Sequence, residues 1–216
     1  SPNSVGNLIL SNSILRNTGI GIDLNANGVT PNDPGDPDTG PNGLQNFPVL
    51  TGAFSCNGTN ANIYGTLNSI PNTVFKLQFF ASATPDPSGY GEAERFIGDD
   101  TVTTGNTGNV TFGFALNNPI DTGEFISATA TDIFGNNTSE FCGNISVVPA
   151  PSPPSVLKDT IYCFGDSVVA LTASGIPGGD LKWYDDFLLT NMIGKGDSLI
   201  PFNIIGTTTY YVTDSI

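Results

Sequence analysis

Asp33, Asp36 and Asp38 crowd into one short stretch, TPNDPGDPDTGPNGLQNFP over residues 30–48, and Asp23 precedes them by ten residues. Asn25, Asn27, Asn32 and Asn42 add amide oxygens to the same region. Oxygen ligands on an irregular loop suit calcium, which accepts about six to eight of them, whereas magnesium demands a stricter octahedron. The interleaved prolines and glycines pre-shape the loop and lower the entropy lost when a cation orders it. The expectation is one structural calcium ion held by Asp33, Asp36 and Asp38, with Asp23 as a further ligand. The same residues also fit an Asp/Pro/Gly turn whose acids cap backbone amides, and at this level both readings stand.

Other chemistry is poorly served. The chain has no His, so the usual general base, the usual transition-metal ligand and the Ser-His triad are missing. Paired carboxylates could still hydrolyse a glycosidic bond, but Asp99 and Asp100, like Asp185 and Asp186, are adjacent in sequence, and neighbours on a strand face opposite ways. Asp86 with Glu92, and Asp132 with Asn136 and Glu140, are weaker oxygen clusters for which turn formation is the competing reading. Tyr64, Phe79, Phe80, Tyr90, Phe112, Phe114, Trp183 and Tyr184 could stack on sugar faces, although aromatics alternating along strands usually point into a core. No catalytic residues are assigned, and the chain is not expected to be an enzyme.

The elements that must position these groups follow from composition. Helix formers are scarce, Gly and Pro number 26 and 16, and Phe numbers 14, while Thr, Val and Ile are plentiful, which predicts an all-β protein. The 38% apolar content excludes a disordered acidic tail. A formal charge of −14 repels a polyanionic backbone and excludes nucleic acid as a partner. No apolar run approaches the roughly 20 residues of a membrane-spanning helix. A start at SPNSVGN, without Met or a signal peptide, predicts a part excised from a longer, exported polypeptide.

Along the chain, Asn7, Asn12 and Asn17 recur every five residues, a period that is neither helical nor simple strand alternation and suits a coil of short strands and turns. Residues 49–148 alternate apolar runs such as NIYGTL, VFKLQFFAS, NVTFGFAL and EFISATATD with turn signals, as an antiparallel sandwich of about seven strands requires. VVPAPSPPSV carries four prolines in ten residues, an extended spacer. Four parts are expected: a capped coil over 1–48, a sandwich over 49–148, a linker over 149–156 and a second sandwich, cut short at its end, over 157–216.

The asparagine pattern resembles the last rungs of a right-handed parallel β-helix, as in bacterial surface proteins and polysaccharide-active enzymes, and residues 21–54 resemble a segment that closes such helices. DPSGYGEAERFIG and ISATATDIFGNNTSEF resemble the immunoglobulin-like domain that follows them. Cys163, Trp183, Tyr184 and TTTYYV at 207–212 resemble the short immunoglobulin-like repeats of Bacteroidetes surface proteins, with Phe164 interrupting the usual Cys-Gly pair. These resemblances imply a terminal β-helix rung with its capping loop, then two immunoglobulin-like domains, in a type IX-secreted, cell-surface, adhesin-like protein. Its partners would be other domains of the same polypeptide, surface polysaccharide or the secretion machinery. Its role would be to space and present those domains, the alternatives being an accessory region of a β-helix polysaccharide-active enzyme or a glycan-binding module.

Cys56 and Cys142 fall on the first and last strands of the predicted sandwich, and a disulfide between them would contribute about 4 kcal/mol in the loop-entropy view; two buried thiols are the alternative. Cys163 is left unpaired, and the repeat resemblance implies a partner beyond the late strand. Asp-Ser/Thr-aliphatic tripeptides, centred on Thr101, Thr160, Ser167, Ser198 and Ser215, resemble the O-glycosylation signal of exported Bacteroidetes proteins and would need surface positions.

Overall fold

The fold is available as a computed structural model that describes residues 4–56, 59–150, 155–156, 168–175, 179–201 and 208–215, with the backbone alone described at Cys56, Val156 and Ser215. The chain divides into two compact units, Ser1–Ala150 and Pro151–Ile216. Both are all-β. Among the described residues the helical structure is a single 3-10 turn, Pro41–Leu44, opened by proline. No helix among them is long and apolar enough to cross a membrane.

In the first unit, β1 (Val49–Cys56), β2 (Asn60–Asn68), β5 (Asn109–Leu116) and β9 (Val148–Pro149) form one sheet in the order β5-β2-β1-β9. The second sheet runs β4-β3-β6-β7, from β3 (Val74–Ser82), β4 (Arg95–Thr103), β6 (Phe125–Asp132) and β7 (Asn137–Thr138), with β8 (Ile145–Ser146) also pairing β6. All pairings are antiparallel except β1 with β9. Alternation decides which residues enter the core. Phe75, Leu77 and Phe79 of β3 meet Ile63 and Leu67 of β2 and Phe112 of β5 between the sheets, the layered arrangement of an immunoglobulin-like sandwich.

The opposite face of β3 and β6 is covered as well. All but the first residue of β6 are buried; residues 4–48 form a strap whose first part bonds Thr138, Gln78 and Glu140 along this sheet, and whose second part turns to Asn68 and Ser69 at the end of β2. Ile9, Ile14 and Leu24 pack with Ile22, Phe80, Ala93 and Phe141 in a second apolar cluster. The strap is therefore part of the first unit.

Stacked β-helix strands do not appear in residues 4–48; the strap makes one antiparallel bridge, Ile14 to Ala93. The five-residue period nonetheless has a physical expression. Gly6, Ser11 and Arg16, each just before one of the spaced asparagines, take left-handed conformations with φ of 77, 54 and 59°. At these corners the amides donate outward: Gly6 N–H to Asn137 Oδ1, Ser11 N–H to Gln78 Oε1 and Arg16 N–H to Glu92 Oε2, each at 2.8 Å. Backbone donors that a neighbouring rung would satisfy are taken by side chains of the sandwich.

The second unit is smaller. β10 (Ser155–Val156), β11 (Leu171–Ser174) and β14 (Ser198–Leu199) form one sheet, and β13 (Met192–Lys195), β12 (Asp180–Tyr184) and β15 (Tyr211–Ser215) the other. Trp183, 1% exposed on the central strand β12, anchors a core with Ala173, Leu181 and Leu199, and its indole N–H reaches the Gly196 carbonyl at 2.8 Å.

Candidate metal centre

The loop over residues 32–38 is tied down before its acids are considered. Asn32 pairs with both backbone groups of Phe47, accepting from its N–H at 3.0 Å and donating to its carbonyl at 2.7 Å. Asn46 donates to the carbonyls of Asp33 and Asn68 at 2.7 and 2.9 Å, and Gly35 N–H donates to Asn68 Oδ1 at 2.8 Å. Gly35 and Asp36 both take positive φ, 80 and 56°, which folds the chain back so that three carboxylates turn toward one point.

Asp33, Asp36 and Asp38 each bring a carboxylate oxygen to within 4.8 Å of the other two. Asp36 is 8% exposed; its Oδ2 accepts from Gln45 Nε2 at 2.7 Å and from the Ser69 hydroxyl, and the Asn46 amide donates to the same carboxylate. Asp33 Oδ1 and Asp38 Oδ1 are buried with no hydrogen-bond donor among the described residues. The ion pairs Lys76–Asp99 and Arg95–Glu124 lie elsewhere.

Electrostatics follows from the crowding. Burial pushes the Asp36 carboxyl up to about 6, the Ser69 and Asn46 hydrogen bonds oppose this, and the charges of Asp38 and Asp33 add to it. Asp38 is raised as well, by burial and then by Asp33. Among the described residues, three acids converge without a protein cation, and two of their oxygens are desolvated without a donor. A hard divalent cation would satisfy both deficits, so the residues present fit calcium.

Asp23 stands apart from this cluster. It is exposed, and its two oxygens cap the amides of Asn27 and Gly28 at 3.2 and 3.0 Å. Asn42 is likewise occupied elsewhere: its Oδ1 accepts from the Asn7 amide and side chain at 2.9 and 2.8 Å.

Most of the other candidate acids act on backbone. Asp86 Oδ1 accepts from Ser88 N–H at 2.8 Å and Asp132 Oδ1 from Phe134 N–H at 2.9 Å, as turn residues do. Asp186 collects the amides of Thr190 and Asn191, and Asp185 the Asn191 side chain. Glu92 and Glu140 do more than shape turns: Glu92 accepts from both Arg16 and Asn17 amides at 2.8 Å, and Glu140 from Leu24 and Thr30. Their spacing to these partners, 76, 75, 116 and 110 residues, leaves no local signal in the sequence.

Phe79, Phe80, Phe112 and Trp183 are buried, Tyr90 packs on Phe47 at 5.7 Å, and Tyr64 alone among the expected aromatics exceeds two-fifths exposure, at 46%. Cys142 is a free, buried thiol that accepts from Ala128 N–H at 3.1 Å and donates to the Gly143 carbonyl at 3.3 Å; the side chain of Cys56 lies outside the described residues, as does Cys163. Of the tripeptide hydroxyl residues, Thr101 and Ser198 are exposed, while Thr160, Ser167 and the Ser215 side chain lie outside the described residues.

Comparison with curated proteins gives no match. A family model described as "Ig-like domain CHU_C associated" matches residues 151–215, so the second unit, with its buried Trp183 and two small sheets, is similar to that immunoglobulin-like domain.

Proposed function

We propose that this chain is a non-catalytic structural segment of a large secreted or cell-surface bacterial protein, in which a calcium ion fastens an N-terminal strap to an immunoglobulin-like sandwich. Domains of the kind matched over 151–215 are typical of cell-surface proteins, which supports the location. The observation that carries the calcium assignment is the convergence of Asp33, Asp36 and Asp38 with two buried oxygens that have no donor among the described residues. Asp33 and Asp36 belong to the strap, and Asp36 also binds Ser69 in the β2–β3 connection, so an ion held there would join strap to sandwich. Spacing and presenting neighbouring domains is the role that such a stiffened junction suits, and Asp86, Asp132, Asp186, Glu92 and Glu140 each hold backbone amides.

Within this proposal the strap ends a parallel β-helix and the protein leaves the cell by type IX secretion, glycosylated at Thr101 and Ser198; these assignments rest on the sequence resemblances alone. Thermal unfolding of the whole chain in EDTA and in millimolar calcium tests the reading. A calcium-dependent rise in melting temperature is expected, and identical curves would remove the ion from the account.

A further inference from the structure

The two sheets of the first unit treat solvent differently. The outer face of β3 and β6 lies under the strap, whereas the outer face of β5-β2-β1 carries alternating exposed positions along β2 and β5. Strands β1, β2 and β5 read VLTGAFSC, NANIYGTLN and NVTFGFAL. They contain no charged residue, in a chain whose net charge is −14.

Tyr64 lies at the centre of this face. Its cross-strand neighbours are Gly52 on β1 and Gly113 on β5, so its ring is the only side chain in that row. A methyl group at Gly113 would sit 2.8 and 2.9 Å from Tyr64 Cδ1 and Cε1; the ring uses the room that the glycine leaves. Phe54 leans over Gly52 from the next row and meets Tyr64 edge-to-face, with centroids 6.0 Å apart and planes at 73°. On the other side of Tyr64, the row of Val49, Thr66 and Thr111 borders a shallow hollow of about 370 Å³ lined by Asn32, Asp33, Pro34, Val49, Thr66 and Asn68.

We propose that this face, centred on Tyr64 and running into the hollow beside Thr66, binds a neutral polysaccharide. A pyranose presents polarised C–H groups on its faces, matched by the negative face of an aromatic ring, and hydroxyls around its rim, matched by Asn and Thr side chains that both donate and accept. The three strands carry no charge, and the one acid of the hollow, Asp33, brings a carboxylate oxygen within 4.8 Å of Asp36 and Asp38, which fits an uncharged ligand on the strands themselves: an anionic glycan would be repelled by the surrounding chain. The open, shallow form suits an extended chain lying on the surface, since a small molecule needs a pocket that buries most of it. Tyr64 and Thr66 are a two-residue step apart along β2, about 7 Å, so one sugar on the ring leaves its neighbour over the hollow.

Affinity electrophoresis of the whole chain through gels containing a soluble β-glucan, a xylan, a mannan or polygalacturonate tests the site. Retardation by at least one neutral polysaccharide is expected, weakened at least tenfold by Tyr64→Ala at unchanged melting temperature. Thr66→Arg, which places a bulky charge on the same face, should weaken it likewise. Phe134→Ala, at a residue 78% exposed on the β6–β7 turn, should leave retardation intact. No retardation by any neutral polysaccharide, retardation by polygalacturonate alone, undiminished binding by both Tyr64→Ala and Thr66→Arg, or a Tyr64-dependent dimer in place of glycan binding would each overturn the proposal.

Discussion

The carboxylate of Glu140 accepts both the amide N–H and the hydroxyl of Thr30, at 2.8 and 3.3 Å, across 110 residues of sequence. Glu140 is 1% exposed and takes the Leu24 amide as well. A buried acid thus supplies acceptors that a neighbouring strand would otherwise provide, and this is how an irregular strap can lie on a sheet without orphaned amides. Glu140→Ala leaves those donors without a partner, at a cost of about 1–3 kcal/mol for such a group. In a domain of this size each kcal/mol corresponds to about 2–4 °C, so the melting temperature should fall by several degrees and proteolysis between residues 22 and 30 should quicken. An unchanged melting temperature would mean that the strap is held without Glu140.

Asp36 gives the metal-free chain a distinctive response to pH. Its carboxyl lies at about 6 in the folded chain against an ordinary value of 3.8, so between those values the folded state holds a proton that the unfolded state has released. Stability from this group is then greatest at the acid end and falls as pH rises through the window, by about 3 kcal/mol at most. In EDTA, wild type should lose stability relative to Asp36→Asn between about pH 4 and pH 6.5. Calcium should reverse the order at neutral pH, because the ion favours the ionised carboxylates. Denaturant unfolding of both proteins across this range checks it; parallel pH profiles in EDTA would contradict the assignment.

Cys142 should be chemically silent in the folded chain. Burial pushes its thiol up to about 12, far from the thiolate that reacts with disulfide reagents. Labelling of the native protein with a thiol-specific reagent, followed by peptide mass spectrometry, should leave Cys142 unmodified, with full labelling after unfolding in guanidinium. Rapid native labelling would show that the β6 side of the core opens. Absence of labelling after unfolding without reductant would reveal a disulfide at Cys142, to Cys56 or to Cys163.

Thr101 and Ser198 are the two tripeptide positions that the structure describes as exposed, so they are where a glycan meets no steric barrier. Peptide mass spectrometry of protein isolated from its natural host should find a hexose-containing adduct on at least one of them, and two unmodified peptides would remove that assignment.

Much of this was legible in sequence, and the limits have physical causes. The long strands could be read because alternation along FISATATD and VFKLQFFAS is local, and Trp183 could be read because a lone tryptophan on an apolar strand seeks a core. The three converging aspartates were legible because the loop that gathers them spans six positions, 33 to 38. Asp23 was not separable from them by composition; only the fold shows its carboxylate spent on Asn27 and Gly28. The five-residue period marked corners correctly, yet its partners Asn137, Gln78 and Glu92 lie 131, 67 and 76 residues away. Such pairings arise from tertiary packing and leave no periodic trace, so the sequence could not show that the sandwich's side chains take up these amides.

The central claim is that Asp33, Asp36 and Asp38 hold one calcium ion that fastens the strap. Isothermal titration of EDTA-stripped whole chain with calcium chloride addresses it most directly. One ion per chain is expected, with the heat abolished in the Asp33→Asn/Asp38→Asn double variant and retained in Asp23→Asn. No binding heat in wild type, or equal binding by the double variant, would contradict it.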